Sequence, residues 1–246
     1  MPARSRRSAA DGGALMHPTQ LPQWAIDRVI ARHGRRFIFD RIEPARTALV
    51  VIDMQQFFTQ SDSALAMPEA REIIPTINRA AEGLRAAGGT VAWVVTHLSE
   101  GAREWRTLTS VAHPGERADV VRAGLSAASP MGELDPALDR RAGDLFAVKD
   151  RFSAFLPGAS PLPEMLRARG IDTVLIAGTL TNVCCESSAR DAMMANYGVV
   201  MLSDANATRT DAEHLAALAG FLATFGDVQT VDEALSHLAV PAGAGR

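Results

Sequence analysis

The segment Gly178-Thr-Leu-Thr-Asn-Val-Cys-Cys-Glu-Ser-Ser-Ala-Arg-Asp-Ala192 decides how the whole chain is interpreted. Residues 174–177 before it are apolar and typical of a buried strand, and the glycine that follows them permits a sharp turn. A helix is expected next, capped by the side chain of Thr181 or Asn182. Cys184 is therefore predicted at the start of a helix, where backbone N–H groups lower the pKa of a thiol.

Two interpretations of this cysteine stay open when it is taken alone. An isolated cysteine is commonly a small core residue. A thiol that follows a strand and a glycine turn, at the start of a helix, is typical of a nucleophile. The position favours a nucleophile at Cys184. Cys185 points roughly 100° further round the helix and is expected to pack in the core.

Composition limits the class of protein and the kinds of partner. The chain has 246 residues, of which 47% are hydrophobic, and this is enough for a sizeable core. Its 28 acidic and 25 basic side chains give no electrostatic case for binding nucleic acid. Every apolar run is shorter than a bilayer requires, so no membrane partner is expected. Two adjacent cysteines fit a reducing compartment, and the cytoplasm is the expected location.

Three regions are predicted along the chain. Residues 1–20 carry arginines followed by small residues, without the apolar centre of a secretion signal, and are expected to form a disordered leader. Residues 21–44 have apolar side chains at helical spacing and are predicted to form an arm that packs on the domain or on a neighbouring subunit. Residues 45–240 are predicted to form one domain.

Within this domain, short apolar runs alternate with helical patterns. Strands are predicted at 48–52, 91–95, 145–148, 174–177, 199–202 and 228–231, with helices near 68–87, 161–169, 183–197 and 210–224. Residues 98–143 are expected to form irregular loops that include active-site loops. The alternation predicts right-handed crossovers and a three-layer α/β/α fold with a central, mostly parallel six-stranded sheet.

Three reactive side chains follow predicted strands. Ligands of parallel sheets bind outside the carboxyl ends of the strands, and Asp53, Lys149 and Cys184 all lie there. Taken singly, the aspartate fits a turn residue and the lysine fits a surface charge. Together they provide a base for the thiol proton and a cation for the thiolate. Histidine is the other candidate base, and His97 and His113 lie near strand ends.

Three blocks of sequence resemble the signatures of the isochorismatase-like cysteine hydrolases. These blocks are residues 48–55 with Phe58, Lys149 with residues 153–155, and residues 178–192. The resemblance extends over about residues 45–235, so the domain predicted at 45–240 is identified as an isochorismatase-like hydrolase domain. The run 181–187 looks most like the N-carbamoylsarcosine and ureidoacrylate amidohydrolases of that family.

The resemblance implies that the aspartate, lysine and cysteine form a catalytic triad, with a non-proline cis peptide between Thr179 and Leu180. The implied reaction cleaves a C–N bond of a small carboxamide or ureido compound through a thioester. Backbone N–H groups of Leu180 and Cys184 would hold the oxyanion. No cofactor is expected. No metal is expected either, because His97 has no second histidine at the spacing that metal-binding members of the family use.

Several residues near these positions are predicted to contact the substrate. They are Gln55, Phe58, Trp105, Arg106, Phe155 and Asn182. Arg103 and Arg106 flank Trp105 and are interpreted as a fork for a substrate carboxylate, although a surface loop has the same composition. Aromatic residues near strand ends are also common in protein cores, which is the alternative for the three aromatic candidates.

Two other functions stay open at this point. One is an isochorismatase-type hydrolase, although those enzymes lack the cysteine, and the other is a non-catalytic thiol redox sensor on the same fold. The expected partner is a small amide or ureido compound, and the family resemblance implies a homo-oligomer, either a dimer or a tetramer.

Overall fold

The structure, a computed structural model, describes residues 16–98 and 105–239. Six parallel strands form one sheet in the order β3-β2-β1-β4-β5-β6. The strands are β1 (Thr47–Ile52), β2 (Thr90–Thr96), β3 (Leu145–Lys149), β4 (Thr173–Thr179), β5 (Gly198–Ala207) and β6 (Asp227–Gln229). The predicted six-stranded sheet is confirmed, and all of its strands are parallel.

Helices cover both faces of this sheet. Within the described residues they are α1 (Gln23–His33), α2 (Gln56–Thr59), α3 (Pro68–Glu72), α4 (Ile74–Ala86), α5 (Arg117–Gly124), α6 (Leu162–Ala168), α7 (Glu186–Met194), α8 (Asp211–Leu222) and α9 (Val231–Ser236). Helices α1, α6, α7 and α8 contribute to the hydrophobic cluster on one face, and α4 and α9 to the cluster on the other. The sheet is therefore the middle of three layers, as predicted. None of the helices in the described ranges has the length and apolar character needed to cross a membrane.

Strand β1 shows why its sequence is a continuous apolar run. Its side chains alternate between the two clusters, with Val50 and Ile52 in one and Leu49 and Val51 in the other. A strand that is covered on both faces has no solvent-exposed position for a polar residue. The chain can therefore place polar side chains only where the strand ends.

The helix predicted near 68–87 is two helices in the structure. Helix α3 ends at Glu72, and α4 begins at Ile74. Pro75 lies in the first turn of α4, where its missing N–H needs no intrahelical partner. In the interior of one long helix the same proline would remove a hydrogen bond, which explains the break.

The predicted last strand is shorter, because residues 230–231 belong to the start of a helix. The N–H of Glu233 donates to the Thr230 hydroxyl, and the N–H of Thr230 donates to the Glu233 carboxylate. This capping box stops β6 at Gln229 and begins α9. Strand β5, in contrast, continues beyond the predicted residue 202, and residues 98–143 contain helix α5 in place of irregular loops alone.

The segment before the domain is in contact with it. Residues 1–15 of the predicted leader lie outside the described residues. His17 is buried, with its ring nitrogens 2.8 Å from Asp211 Oδ1 and 2.9 Å from the carbonyl oxygen of Thr208. Ala25 and Val29 of α1 are buried in the same cluster as α8. The arm of residues 21–44 therefore packs on the domain of its own chain.

Candidate active site

The sheet places the three predicted reactive residues at one point. The strands after β3 are added on the opposite side of β1, so the topology switches between β1 and β4. Asp53 follows β1, Cys184 lies in the turn after β4, and Lys149 is the last residue of β3. Parallel sheets bind their ligands at such a switch point.

The carboxylate of Asp53 and the ammonium of Lys149 form a buried ion pair. Lys149 Nζ lies 2.9 Å from Asp53 Oδ2, and neither side chain is more than 1% exposed. The ammonium also donates to Thr96 Oγ1 at 2.5 Å and to the carbonyl oxygen of Arg151 at 3.0 Å. Thr96 in turn donates to Asp53 Oδ1 at 2.9 Å. All three ammonium donors thus have acceptors, which offsets the cost of burying the charges.

Lys149 is the only lysine in the chain, since 24 of the 25 basic side chains are arginines. An ammonium is compact and directs three donors toward separate acceptors, whereas a guanidinium is a planar fork of larger size. The three acceptors around Nζ come from three different segments of chain. Three acceptors on one nitrogen suit an ammonium, since each guanidinium nitrogen carries at most two N–H donors.

The thiol of Cys184 lies beside this pair: it lines the same cavity as Asp53, and the charges of Asp53 and Lys149 both act on its pKa. Burial raises the pKa of this thiol; the Lys149 charge lowers it, and the Asp53 charge raises it further. The expectation of a lowered pKa is therefore wrong, because desolvation outweighs the helix start and the ammonium. The sulfur is protonated at rest, with a carboxylate beside it.

The pKa of Lys149 moves in the direction that keeps the ammonium charged. Burial disfavours the charge, but the neighbouring Asp53 carboxylate outweighs it, and the net pKa is raised. At neutral pH the cluster therefore contains an ammonium, a carboxylate and a neutral thiol.

The turn after β4 is tied to the turn after β1. Gly178 has a φ of 117°, and a Cβ at this position would clash with the carbonyl oxygen of Ile52. The peptide between Thr179 and Leu180 is cis, as the resemblance implied. Thr179 Oγ1 donates to the carbonyl oxygen of Asp53 at 2.8 Å. The backbone that carries the cysteine is thus bonded to the backbone that carries the carboxylate.

Cys184 lies in a π-helical turn that leads into α7, and this turn is also tied to the segment around α8. Thr181 Oγ1 lies 2.9 Å from His214 Nδ1, and Asn182 Oδ1 accepts from Thr208 Oγ1 at 2.6 Å. The prediction that Thr181 or Asn182 caps the helix is wrong, because both side chains bond to other segments. These bonds hold the cysteine turn to the segment around α8.

A cavity of about 280 Å³ opens over the thiol. Its apolar walls include Phe58, Leu65, Trp105, Leu108, Val121 and Phe152. Four basic side chains also line it, namely His113, Arg117, Arg151 and Arg209. Asp53 is the only carboxylate among the described residues around the cavity. The insertion at residues 98–143 supplies much of one wall, as predicted for active-site loops.

Two of the six predicted substrate contacts, Phe58 and Trp105, line this cavity. Gln55 does not, because its amide is buried and bonded to the backbone of Thr96 in both directions and to the carbonyl oxygen of Gly132. This glutamine joins β2 to the insertion and has no group left for a substrate. Its predicted role is therefore corrected to a structural one.

The other three predicted contacts also lie elsewhere. Phe155 is buried against Tyr197, with ring centroids 5.4 Å apart, and the cavity is lined by Phe152 instead. Arg106 is exposed and outside the cavity lining, and Arg103 lies outside the described residues. Asn182 is held by Thr208, as described above. The arginines that line the cavity are Arg117, Arg151 and Arg209.

Residues that sequence reasoning missed fall into two groups. Thr96 ends β2 and is a polar residue at the carboxyl end of a buried strand, so the criterion that selected Asp53 would also have selected it. Arg117, Arg151 and Arg209 reach the cavity only through the paths of their loops. Their sequence context contains no periodic pattern that indicates this.

His97 lies away from the thiol. It is not among the residues that line the cavity, and its Nε2 is 3.4 Å from the carbonyl oxygen of Gly132. In the part of the chain that the structure describes, no group of three or more His, Cys, Asp or Glu side chains is placed to hold a metal ion.

The fold and the site together define a parallel α/β protein in which a thiol, a carboxylate and an ammonium meet at the switch point of the sheet. Residues 47–233 match the family model of the isochorismatase domain. The chain belongs to the isochorismatase family of cysteine hydrolases, as its three sequence blocks predicted.

Several proteins are similar to this chain over most of its length. The ureidoacrylate amidohydrolase RutB of Methylobacterium radiotolerans is 31% identical over an alignment of 217 residues, which covers 82% of this chain and 83% of that protein. A cysteine hydrolase from Pseudomonas syringae pv. phaseolicola has a crystal structure with a TM-score of 0.67 and 30% identity, covering 80% of this chain and 93% of that one. N-carbamoylsarcosine amidase from Thermoplasma acidophilum has a TM-score of 0.62 and 26% identity, covering 76% and 97%.

Proposed function

We propose that this protein is an amidohydrolase that cleaves a C–N bond of a carboxamide or ureido compound through a thioester on Cys184. The observation that carries the proposal is the contact of the Cys184 thiol with the buried Asp53–Lys149 pair at the floor of the cavity. It is supported by two relatives that are named for this type of bond, the amidohydrolase RutB and N-carbamoylsarcosine amidase.

In the first half of the reaction the thiol attacks the substrate. Asp53 accepts the thiol proton while Cys184 Sγ forms a bond to the carbonyl carbon, and the carbonyl oxygen takes up the electron pair. Lys149 stays charged and holds the Asp53 carboxylate in place. Backbone N–H groups of Leu180 and Cys184 hold the oxyanion, a contribution of about 3 kcal/mol in comparable sites.

The raised pKa of the thiol suits this order of events. A thiol that is neutral at rest avoids a second negative charge beside Asp53 in a buried site. Proton transfer then accompanies the attack, when negative charge moves on to the substrate oxygen. In this scheme Asp53 is the general base, and Lys149 is the cation that holds its carboxylate in position.

In the second half the amine departs first, and the acyl group is then released from the enzyme. The C–N bond breaks as Asp53 returns its proton to the leaving nitrogen, and ammonia or an amine departs. Water then attacks the thioester carbonyl while Asp53 removes a proton from it. The C–S bond breaks, the acid is released, and Asp53 returns the proton to the sulfur, so that one water is consumed for each C–N bond cleaved.

The test is ammonia release from a panel of small amides and ureido acids. Cys184→Ser is expected to lower turnover by at least about a thousandfold, as in other enzymes that lose their nucleophile. Cys185→Ser is the matched control, because this neighbour is buried in the core and lies outside the cavity lining. Wild-type turnover by Cys184→Ser would overturn the proposal. Labelling of Cys184 by iodoacetamide without turnover of any compound would favour the redox sensor.

A further inference from the structure

The cavity is larger and more apolar than hydrolysis of a very small amide requires. An engineered apolar cavity of about 150 Å³ holds benzene. By that scale, the cavity of about 280 Å³ has room for roughly eleven non-hydrogen atoms. Its walls are formed by aromatic and aliphatic side chains, with Trp105 and Phe152 packed edge to face at 4.8 Å between ring centroids. Such walls favour an apolar group and contribute little to a small polar one.

The rim of the cavity on the side of the insertion carries positive charge. The guanidinium of Arg151 lies over the Trp105 ring at 5.2 Å and is paired with Asp150 at 3.1 Å. Arg117 is exposed at the start of α5, and it makes no side-chain hydrogen bond or ion pair with another residue in the described ranges. Burial, followed by the charges of Arg117 and Arg209, lowers the pKa of His113. The guanidinium groups of Arg117 and Arg209 therefore lie near the His113 imidazole.

Charge balance around the cavity indicates what the rim recognises. Asp53 is committed to Lys149, and it is the only carboxylate among the described lining residues. Arg117 can therefore pair with a ligand anion without displacing a carboxylate that lines the cavity. A guanidinium binds a carboxylate through two parallel N–H···O bonds, which also fixes the orientation of the ligand.

We infer that the substrate is an amide or ureide whose body is apolar and about the size of an aromatic ring, with a carboxylate at the end remote from the scissile bond. The scissile carbonyl lies at Cys184, the body packs on Trp105 and Phe152, and the carboxylate faces Arg117 and Arg151. The inference rests on the proposed function for the reaction at Cys184. Beyond that function, it specifies the class of compound that binds in the cavity over Cys184.

Four probes separate size from charge: 4-carbamoylbenzoate, benzamide, succinamate and acetamide. Calorimetric binding to the full-length Cys184→Ser variant gives a readout that needs no turnover, and kcat/KM of the unsubstituted protein gives the second. We expect 4-carbamoylbenzoate to bind at least tenfold more tightly than any of the other three. The unsubstituted protein is likewise expected to have its highest kcat/KM with 4-carbamoylbenzoate.

Variants with matched controls separate the contribution of Arg117 to carboxylate binding from the contribution of Trp105 to binding of the apolar body. Arg117→Met is expected to weaken 4-carbamoylbenzoate about tenfold and benzamide less than twofold, since a charged hydrogen bond at an exposed site is lost. Arg122→Met, on the same helix but outside the cavity lining, is expected to change neither. Trp105→Ala is expected to weaken both aromatic probes, whereas Trp24→Ala removes an exposed tryptophan of α1 that also lies under an arginine and is expected to change nothing.

The outcomes separate this inference from the proposed function. Equal or tighter binding of succinamate or acetamide would overturn the inference, and so would an equal effect of Arg117→Met on charged and neutral aromatic amides. If 4-carbamoylbenzoate binds as expected but no amide is hydrolysed, the inference stands and the proposed function fails. If small neutral amides are hydrolysed best, the proposed function stands and the inference fails.

Discussion

The floor and the wall of this site are built in opposite ways. The floor consists of Asp53, Thr96 and Lys149, which are buried at strand ends and bonded to one another, and of the buried Cys184 beside them. The wall, residues 105–125, lies on the insertion and includes exposed groups such as Arg117. Rigid strand ends hold reacting groups in fixed geometry, whereas a loop segment can change without disturbing them. We therefore expect substitutions in the floor to affect chemistry and stability together, and substitutions in the wall to affect only the choice of substrate.

The largest effect is expected for Lys149→Met. The variant leaves the Asp53 carboxylate buried without its cation, which costs about 3–5 kcal/mol of stability. It also removes the donor that holds the Asp53 carboxylate in place beside the thiol, so kcat/KM should fall by at least about a thousandfold. Lys149→Arg should be almost as inactive, because the three acceptors around Nζ suit an ammonium. Steady-state kinetics and urea unfolding measure both quantities.

Arg85→Met is the control for this prediction. Arg85 forms a largely buried pair with Asp144 at 2.7 Å, away from the cavity. Its loss should lower the free energy of unfolding while kcat/KM stays within about threefold, because only stability depends on it. If Lys149→Met and Arg85→Met lower kcat/KM by the same factor, the separate role of the floor is contradicted.

The next effect concerns His214, which supports the cysteine turn through Thr181. Burial, and then the neighbouring His17, lowers the pKa of His214 to about 3. The unfolded chain, with a histidine pKa of about 6.5, binds the proton first as the pH falls, so stability decreases below about pH 6.5 by up to ~1.4 kcal/mol per pH unit. Between pH 7.5 and 5.0, wild type should lose about 2 kcal/mol more than His214→Gln.

Unfolding in urea at each pH measures this difference. His33→Gln is the control, because this ring is exposed at the end of α1, and its curve should follow that of wild type. His17 stacks on His214 with ring centroids 4.6 Å apart, so a His17→Gln variant should show an intermediate slope. Parallel curves for wild type and His214→Gln would show that the buried imidazole does not control stability in this range.

A smaller effect on activity is expected for Thr96→Val. The hydroxyl bridges Asp53 and Lys149, and valine of nearly the same shape removes only those bonds. A loss of ten- to a hundredfold in kcat is expected, since a hydrogen bond to a charged group is worth about 1.5–3 kcal/mol. Thr96→Ser should restore most of it. Thr59→Val, which removes a buried hydroxyl bonded to Asp135 outside the cavity, is the control and should leave kcat unchanged.

The smallest effect on stability is expected in the wall. Arg117→Met should change the free energy of unfolding by less than about 0.5 kcal/mol, because the side chain is exposed and makes no bond with another described residue. The same urea titration that detects Lys149→Met measures it. A loss of 2 kcal/mol or more would show that the wall is as tightly integrated as the floor.

The floor could be predicted from sequence because its residues obey a local rule. A reactive polar side chain directly after an apolar strand lies at the carboxyl end of the parallel sheet, and this identified Asp53 and Lys149. A strand, a glycine turn and the start of a helix identified Cys184. The same rule applies to Thr96, which ends the buried strand β2. The direction of the Cys184 pKa could not be predicted, because burial depends on how the insertion covers the thiol.

The wall could not be predicted because nearby residues differ only in how the chain turns. Arg106 and Arg117 both lie in the insertion. Only Arg117, at the start of α5, lines the cavity. Between Phe152 and Phe155, the choice depends on Ser153, whose hydroxyl accepts the N–H of Phe155. The turn that results buries Phe155 in the core and leaves Phe152 at the cavity. Such turns follow from tertiary contacts and not from periodicity.

The most direct test of the account is interception of the acyl group by hydroxylamine during turnover. Amides that share one acyl group but differ in the leaving amine are hydrolysed in the presence of hydroxylamine, and the ratio of hydroxamate to acid is measured. A common thioester on Cys184 predicts one ratio for all leaving amines, and no product of either kind from Cys184→Ser. A ratio that changes with the leaving amine would mean that water attacks the amide directly, and it would contradict the account.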